Sequence, residues 1–400
     1  MSSSTSSSEQ RYLLWLALFS TPLFLFLCLN YLFLRNAGEL MAIPTIIALQ
    51  QNPDTFCLYG TALYGDTFRY KMDALAVRKP DIVTIGSSRM LQFRERFFAE
   101  PFFNLSNTVS NLNEGQDVVE GILKSPHRPK IVIFGVDFWW FNGAYIPPTP
   151  YRPRAEPLHQ FEGYFLFKPF LWLKEGKITT QDYIHTILHP AAREDPCNIG
   201  IQALKRRSGF APDGSQYSFI DPDVGTASDG QKNPFGEIPH IRAGKDRYTY
   251  APKADPRHVQ TFLRLIGRLR KADIEVIVLF PPFAESVADA LRQEGTRYGI
   301  FDDLREQMRA AGVFFLDATD PSTFGSTNCE FMDGVHSGDI VDARLLLWLD
   351  EERRQDGLKP VGNTVELRRI VEENTGRAMA VDPRVTTTKE GDFLHLGCKK

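Results

Sequence analysis

Two short stretches of this 400-residue chain carry residue types suited to nucleophilic chemistry. In the first, Ile82, Val83 and Ile85 form a β-branched run that Gly86-Ser87-Ser88 interrupts. That composition is the composition of a buried strand, and a glycine directly after it lets the backbone turn with no Cβ in the way. A serine at such a turn stands above the strand's carboxyl end, where open parallel sheets bind their ligands. A helix starting there would also aim free backbone N–H groups at a developing oxyanion. The second stretch is Met332-Asp333-Gly334-Val335-His336. A histidine three residues after an aspartate can take the serine proton while the carboxylate fixes its tautomer. Each stretch alone is most often only a turn or a solvated loop; their joint presence is what points to chemistry.

The intervening sequence supplies elements able to bring the two together. Short apolar runs at 82–85, 102–105, 131–135, 275–280 and 313–316 read as five strands. Helices are expected from Asn113 through 123, from Asp255-Pro256 onward, and over 284–293, 302–311 and 339–353. Asp255 followed by proline is a helix start, and Val259, Phe262, Leu263, Ile266 and Leu269 recur at helical spacing as one core-facing stripe. Strands alternating with helices predict an α/β fold with a parallel, doubly wound sheet.

In this order the motifs resemble the SGNH (GDSL-like) hydrolase and acyltransferase superfamily. The resemblance is to its membrane-anchored branch, which includes alginate O-acetylation proteins and the D-alanyl transfer protein of teichoic acid synthesis. It covers residues 70–143 and 255–353, and Lys79-Pro80-Asp81, Phe103-Asn104-Leu105 and Gly135-Val136-Asp137-Phe138 also read like that branch. It implies a three-layer α/β/α domain with a five-stranded parallel sheet, Ser88 rather than Ser87 as nucleophile, and Asp333 and His336 as its partners. The polar loop 106–113 would help Ser88 form the oxyanion hole through Asn107 or the Val109 backbone, although relatives often carry glycine where Ser106 or Val109 stands. Many members place an asparagine near Asp137; an ionised carboxylate would repel an oxyanion, so Asp137 is expected to bind a backbone group or an acceptor hydroxyl instead. Arg89, Asp137, Trp139 and Trp140 are the expected acceptor groove, with core packing as the alternative for the aromatics.

Residues 12–34 carry no charge and, at 1.5 Å each, form a helix of about 34 Å, enough to cross a bilayer core. Trp15 and Tyr31 lie near its ends, where interfacial aromatics belong. Arg11 and Arg35 flank the span almost symmetrically, so the extracytoplasmic placement of the remainder comes from the resemblance. The organisation expected is a disordered start (1–11), a transmembrane anchor (12–34), a stalk (35–69), a catalytic domain (70–354) with one long insertion (143–254), and a tail (355–400). Prolines at 147, 148, 150, 153 and 157 mark the insertion, and Asn363 with Glu366 marks one capped helix in the tail.

A formal charge of −3 gives no general attraction to nucleic acid. The five cysteines show no C-x-x-C spacing, and His185 with His189 lacks a third ligand, so no metal or cofactor is expected. Pairing among Cys57, Cys197, Cys329 and Cys398 is left open. The expected function is a membrane-anchored O-acyltransferase, O-acetyl transfer above all, acting on a cell-envelope or exported polysaccharide through a Ser-His-Asp acyl-enzyme. The resemblance also implies a membrane-bound O-acyltransferase as partner. An extracytoplasmic carbohydrate or lipid esterase and an inactive assembly scaffold are the alternatives.

Overall fold

The computed structural model describes residues 7–52, 54–63, 67–147, 164–190, 197–217, 235–380, 382 and 392–398. The serine-rich start through residue 6, the prolines from 148 to 157 and most of the tail beyond 380 lie outside the described residues. The chain forms two compact units, one of Met1–Gly65 with Pro157–Gly209 and one of Asp66–Glu156 with Phe210–Lys400.

The smaller unit is built on helix α1, Ser7–Asn36, which is long and apolar enough to cross a membrane. Its last turns do not end in a stalk. Phe33, Leu34 and Ala37 are buried in a cluster with Trp172, Ile178 and Ile201. Residues 43–50 form a short helix, Ile43–Gln50. The two-residue strand Leu58–Tyr59 pairs in parallel with Asn198–Ile199 beside a Cys57–Cys197 disulfide. Part of the expected insertion thus folds with the beginning of the chain, held by apolar contacts that span more than a hundred residues of sequence.

The larger unit contains a five-stranded sheet: β1 (Ile82–Ile85), β2 (Phe102–Asn104), β3 (Ile131–Gly135), β4 (Glu275–Phe280) and β5 (Phe315–Asp317). The order is β2-β1-β3-β4-β5, and every pairing is parallel. All four residues of β1 are buried, as a strand covered on both faces requires. Its helices include α2 (Leu112–Lys124), α3 (Pro256–Arg270), α4 (Glu285–Gln293), α5 (Ile300–Ala310), α6 (Asp339–Gln355) and α7 (Thr364–Asn374), besides Thr67–Arg78 and Glu237–Ala243. Ile82, Ile133, Ile277, Leu279 and Leu316 pack with Ile340, Leu345, Leu346 and Leu349 of α6. Each such side chain contributes roughly 1.5–3 kcal/mol by leaving water. Phe134 meets Phe262 of α3 edge-on at 5.1 Å.

Several element boundaries differ from expectation for local reasons. Asn111, not Asn113, caps α2, its Oδ1 accepting from the N–H groups of Asn113 and Glu114. Leu265 rather than Leu263 completes the buried stripe of α3. The turn after β1 is a three-residue 3-10 turn, Ser88–Met90, and not the start of an α-helix, so no macrodipole stands behind Ser88.

Candidate functional site

Strand order reverses between β1, flanked by β2, and β3, flanked by β4, and crevices at such switch points face the carboxyl ends of the strands. The residues that follow β1 and β3 meet at that edge. Gly86 has φ +151°, and a Cβ on it would lie 2.7 Å from the Gly135 carbonyl oxygen; Gly135, ending β3, would clash with Met90. Two glycines therefore let Met90 wedge between the strand ends and turn the chain so that Ser88 emerges at the top.

Across 248 positions of sequence, the Ser88 Oγ lies 2.8 Å from His336 Nε2. His336 Nδ1 lies 2.7 Å from Asp333 Oδ2. The second carboxylate oxygen, Oδ1, accepts from the backbone N–H groups of Val335 at 2.8 Å and His336 at 2.7 Å. Asp333 thus both folds the loop and orients the ring. Burial opposes ionisation of Asp333, but the charge on His336 and these hydrogen bonds outweigh it and hold the carboxyl at about 2. The loop itself is closed by Met332 N–H donating to the His336 carbonyl at 2.9 Å and by a bridge between Phe331 and Ser337. Beneath it the Ser337 hydroxyl donates to buried Asp342 at 2.7 Å.

Arg89 does not line a groove. It is 4 % exposed and every nitrogen of its guanidinium is hydrogen-bonded. Nη1 donates to Asp137 Oδ1 at 2.8 Å, Nη2 to the carbonyls of Pro281 and Pro282 at 2.6 and 2.8 Å, and Nε to Val335 at 3.2 Å. The guanidinium carbon stands 3.8 Å from the Phe283 ring centre. Burial lowers the Arg89 pKa and Asp137 works against that shift. This one side chain ties the turn after β1 to the loops after β3 and β4 and to the residue preceding His336. Asp137 is likewise buried on Arg89, in place of the expected backbone group or acceptor hydroxyl, and its Oδ2 has no partner.

The expected oxyanion donors are also revised. The N–H of Asn107 donates to Gly86 and Ser87 carbonyls and that of Val109 to Gly86, so both are consumed in holding the loop. Val109 is buried. Asn107 is exposed with φ 65°, which leaves its side-chain amide as the donor that loop can offer.

Trp139 and Trp140 do border open space. With Asn111, Asn113, Gln116 and His258 they line a cavity of about 510 Å³. Both tryptophans are only 7 % and 5 % exposed, the Trp140 Nε1 and His258 Nδ1 atoms are buried without a protein partner, and none of Ser88, Asp333 and His336 lines the cavity. The Trp139 ring centre lies 5.7 Å from the Arg89 guanidinium and 5.4 Å from that of Arg247. Arg247, Glu237, whose carboxylate a Cβ on Gly334 would strike, and His258 were not anticipated. They lie in or after a segment whose sequence is irregular, and no spacing ties them to the site. His185 and His189 stack on each other at 4.5 Å, and among the described residues no group of three or more His, Cys, Asp or Glu could hold a metal ion.

No family model matches the chain, and no curated protein or solved structure is significantly similar to it.

Proposed function

We propose that this protein is a membrane-anchored serine O-acyltransferase of the SGNH type, with an extracytoplasmic site that modifies a cell-envelope or exported polysaccharide, O-acetyl transfer being the favoured case. The observation that carries the reading is the chain of two hydrogen bonds from Ser88 Oγ through His336 to Asp333, at 2.8 and 2.7 Å. The parallel sheet, packed on α6 by one face and α3 by the other, supports the three-layer architecture the reading implies.

In the proposed cycle, Ser88 Oγ attacks the acyl carbonyl carbon as its proton passes to His336 Nε2. The tetrahedral oxyanion is stabilised by the Ser88 N–H and the Asn107 amide. Collapse breaks the bond to the donor oxygen, which leaves with the proton from His336 and creates the acyl-enzyme. An acceptor hydroxyl oxygen then attacks the acyl carbon as its proton passes to His336, and collapse breaks the bond to Ser88 Oγ, which takes that proton back from His336. Asp333 stays ionised throughout, stabilising the imidazolium. The cavity bordered by Trp139 and Trp140 suits a polyhydroxylated acceptor through the side-chain amides of Asn113 and Gln116 that line it.

The extracytoplasmic placement is supported by the two disulfides, Cys57–Cys197 and Cys329–Cys398, which persist in oxidising compartments. A membrane-bound O-acyltransferase would then deliver the acyl group from the other side of the bilayer. The test is turnover of p-nitrophenyl acetate by the full chain with and without a glycan. Acylated glycan at the expense of acetate release supports transfer. Hydrolysis indifferent to glycan makes the protein an esterase, and unimpaired complementation by Ser88→Ala makes it a scaffold.

A further inference from the structure

The smaller unit carries an apolar surface that plays no part in the serine site. Its helix Lys168–Lys174 follows a 3-10 turn, Phe165–Phe167, and buries Pro169 and Trp172 inward. The aromatic residues on its outer side stay open: Tyr164 is 49 %, Phe167 43 % and Phe170 49 % exposed. Phe26 of α1 touches two of them, with ring centres 5.6 Å from Phe167 and 5.9 Å from Phe170.

We infer that the segment 164–174 lies in the membrane interface beside α1, with Phe167 and Phe170 entering the lipid and Lys168 and Lys174 reaching the headgroups. The depth follows from the register. A span of about 20 residues counted from Tyr12 closes near Tyr31, an aromatic suited to the boundary. Phe26 lies five residues before it, or about 7 Å deeper. Rings touching Phe26 share that level, which matches the ~5–10 Å at which interfacial helices rest. Above it the polar side chains of α1 turn to protein: Asn30 accepts from the Tyr183 hydroxyl at 2.8 Å, although its amide nitrogen is buried without a partner, and Asn36 donates to the Ile187 carbonyl at 2.7 Å. The Lys168 ammonium sits 4.7 Å above the Tyr164 ring, and both ends of the helix carry lysine stems long enough to snorkel. The occupant is lipid because this face continues the surface of α1, whose Leu25 and Leu29 at the same level are themselves 54 % and 44 % exposed.

The inference rests on α1 crossing a bilayer, so the test carries a probe for each. In the full chain with Cys28→Ser, which removes the free cysteine among the described residues, a nitrobenzoxadiazole label is placed on Phe170→Cys, on Phe167→Cys or on Phe24→Cys in α1. Each protein is reconstituted in phosphatidylcholine–phosphatidylglycerol vesicles. The Phe170 and Phe167 labels should emit to the blue of their value in buffer and be quenched by nitroxide lipids while resisting aqueous iodide. Iodide quenching at 167 and 170 with lipid quenching at 24 overturns the interfacial segment and leaves the anchor standing. Iodide quenching at all three overturns both. Labels at 167 and 170 shielded from both quenchers mean that a protein covers this face, which also overturns the inference.

Discussion

Replacing Asp333 by asparagine separates the two tasks of that side chain. Asparagine keeps the shape and an acceptor oxygen at Oδ1, so the bonds from the Val335 and His336 N–H groups, at 2.8 and 2.7 Å, survive and the loop holds. The other arm becomes an NH2 group facing His336 Nδ1, where the carboxylate had accepted at 2.7 Å. To pair with it, the imidazole must put its lone pair on Nδ1 and its proton on Nε2, which turns the ring into a donor toward Ser88 and removes the base. This swap costs roughly 10⁴ in kcat in Ser-His-Asp sites, about 5 kcal/mol at 1.36 kcal/mol per decade. The assay is steady-state p-nitrophenyl acetate turnover by the full chain in detergent, with circular dichroism and melting as fold controls. Ser88→Ala and His336→Ala should fall to a similar floor, and the double variants should fall no further. The wild-type carboxyl, held at about 2, contributes stability that is present above its ordinary value of 3.8 and disappears as pH falls through about 2. Its titration therefore leaves activity untouched at neutral pH. A folded Asp333→Asn protein within about tenfold of wild type would refute the reasoning.

Arg89→Met should destabilise the fold by about 3–5 kcal/mol in urea titrations, because it strands the Asp137 carboxylate in a buried site; Arg89→Met with Asp137→Leu should recover much of that loss. Gln116→Ala, which removes an exposed amide lining the cavity, should raise the KM for a glycan acceptor by about tenfold, the worth of one hydrogen bond, while acetate release without glycan stays within about twofold. Burial pushes the Asp342 carboxyl up to about 8, against the Ser337 hydrogen bond, with Asp339 adding to the rise. Between its ordinary value of 3.8 and about 8 the folded state thus holds a proton the unfolded state has lost, so this group's contribution to stability falls as pH rises through that window. Asp342→Asn should flatten the decline of melting temperature with pH across that window.

The centre of the fold was legible because central parallel strands, buried on both faces, read as continuous β-branched runs: β1, β3 and β4 lie where those runs are. The edge was less so. β5 covers Phe315–Asp317 rather than 313–316, and only Leu316 in it is buried, so its pattern is weaker than that of the other edge strand, β2, all three of whose residues are buried. The serine, histidine and aspartate could be picked out because each sits in a short motif. The engagement of Arg89 by Asp137 could not, because it joins residues 48 apart through a strand pairing that local sequence does not encode. The fate of the Asn107 and Val109 N–H groups was hidden for the same reason: the loop doubles back onto Gly86, and only the folded register shows which donors it consumes. Cysteine spacing was silent about the Cys57–Cys197 and Cys329–Cys398 pairs, which close loops between distant segments.

The most direct test of the central claim is to expose the full chain to a fluorophosphonate, which phosphonylates only a serine activated by a neighbouring base, and to map the adduct by peptide mass spectrometry. The account predicts one adduct, on Ser88, absent from Ser88→Ala and lost when His336→Ala removes the base. No adduct on the wild type, an adduct on Ser87 instead, or labelling of Ser88 that persists in His336→Ala would contradict it.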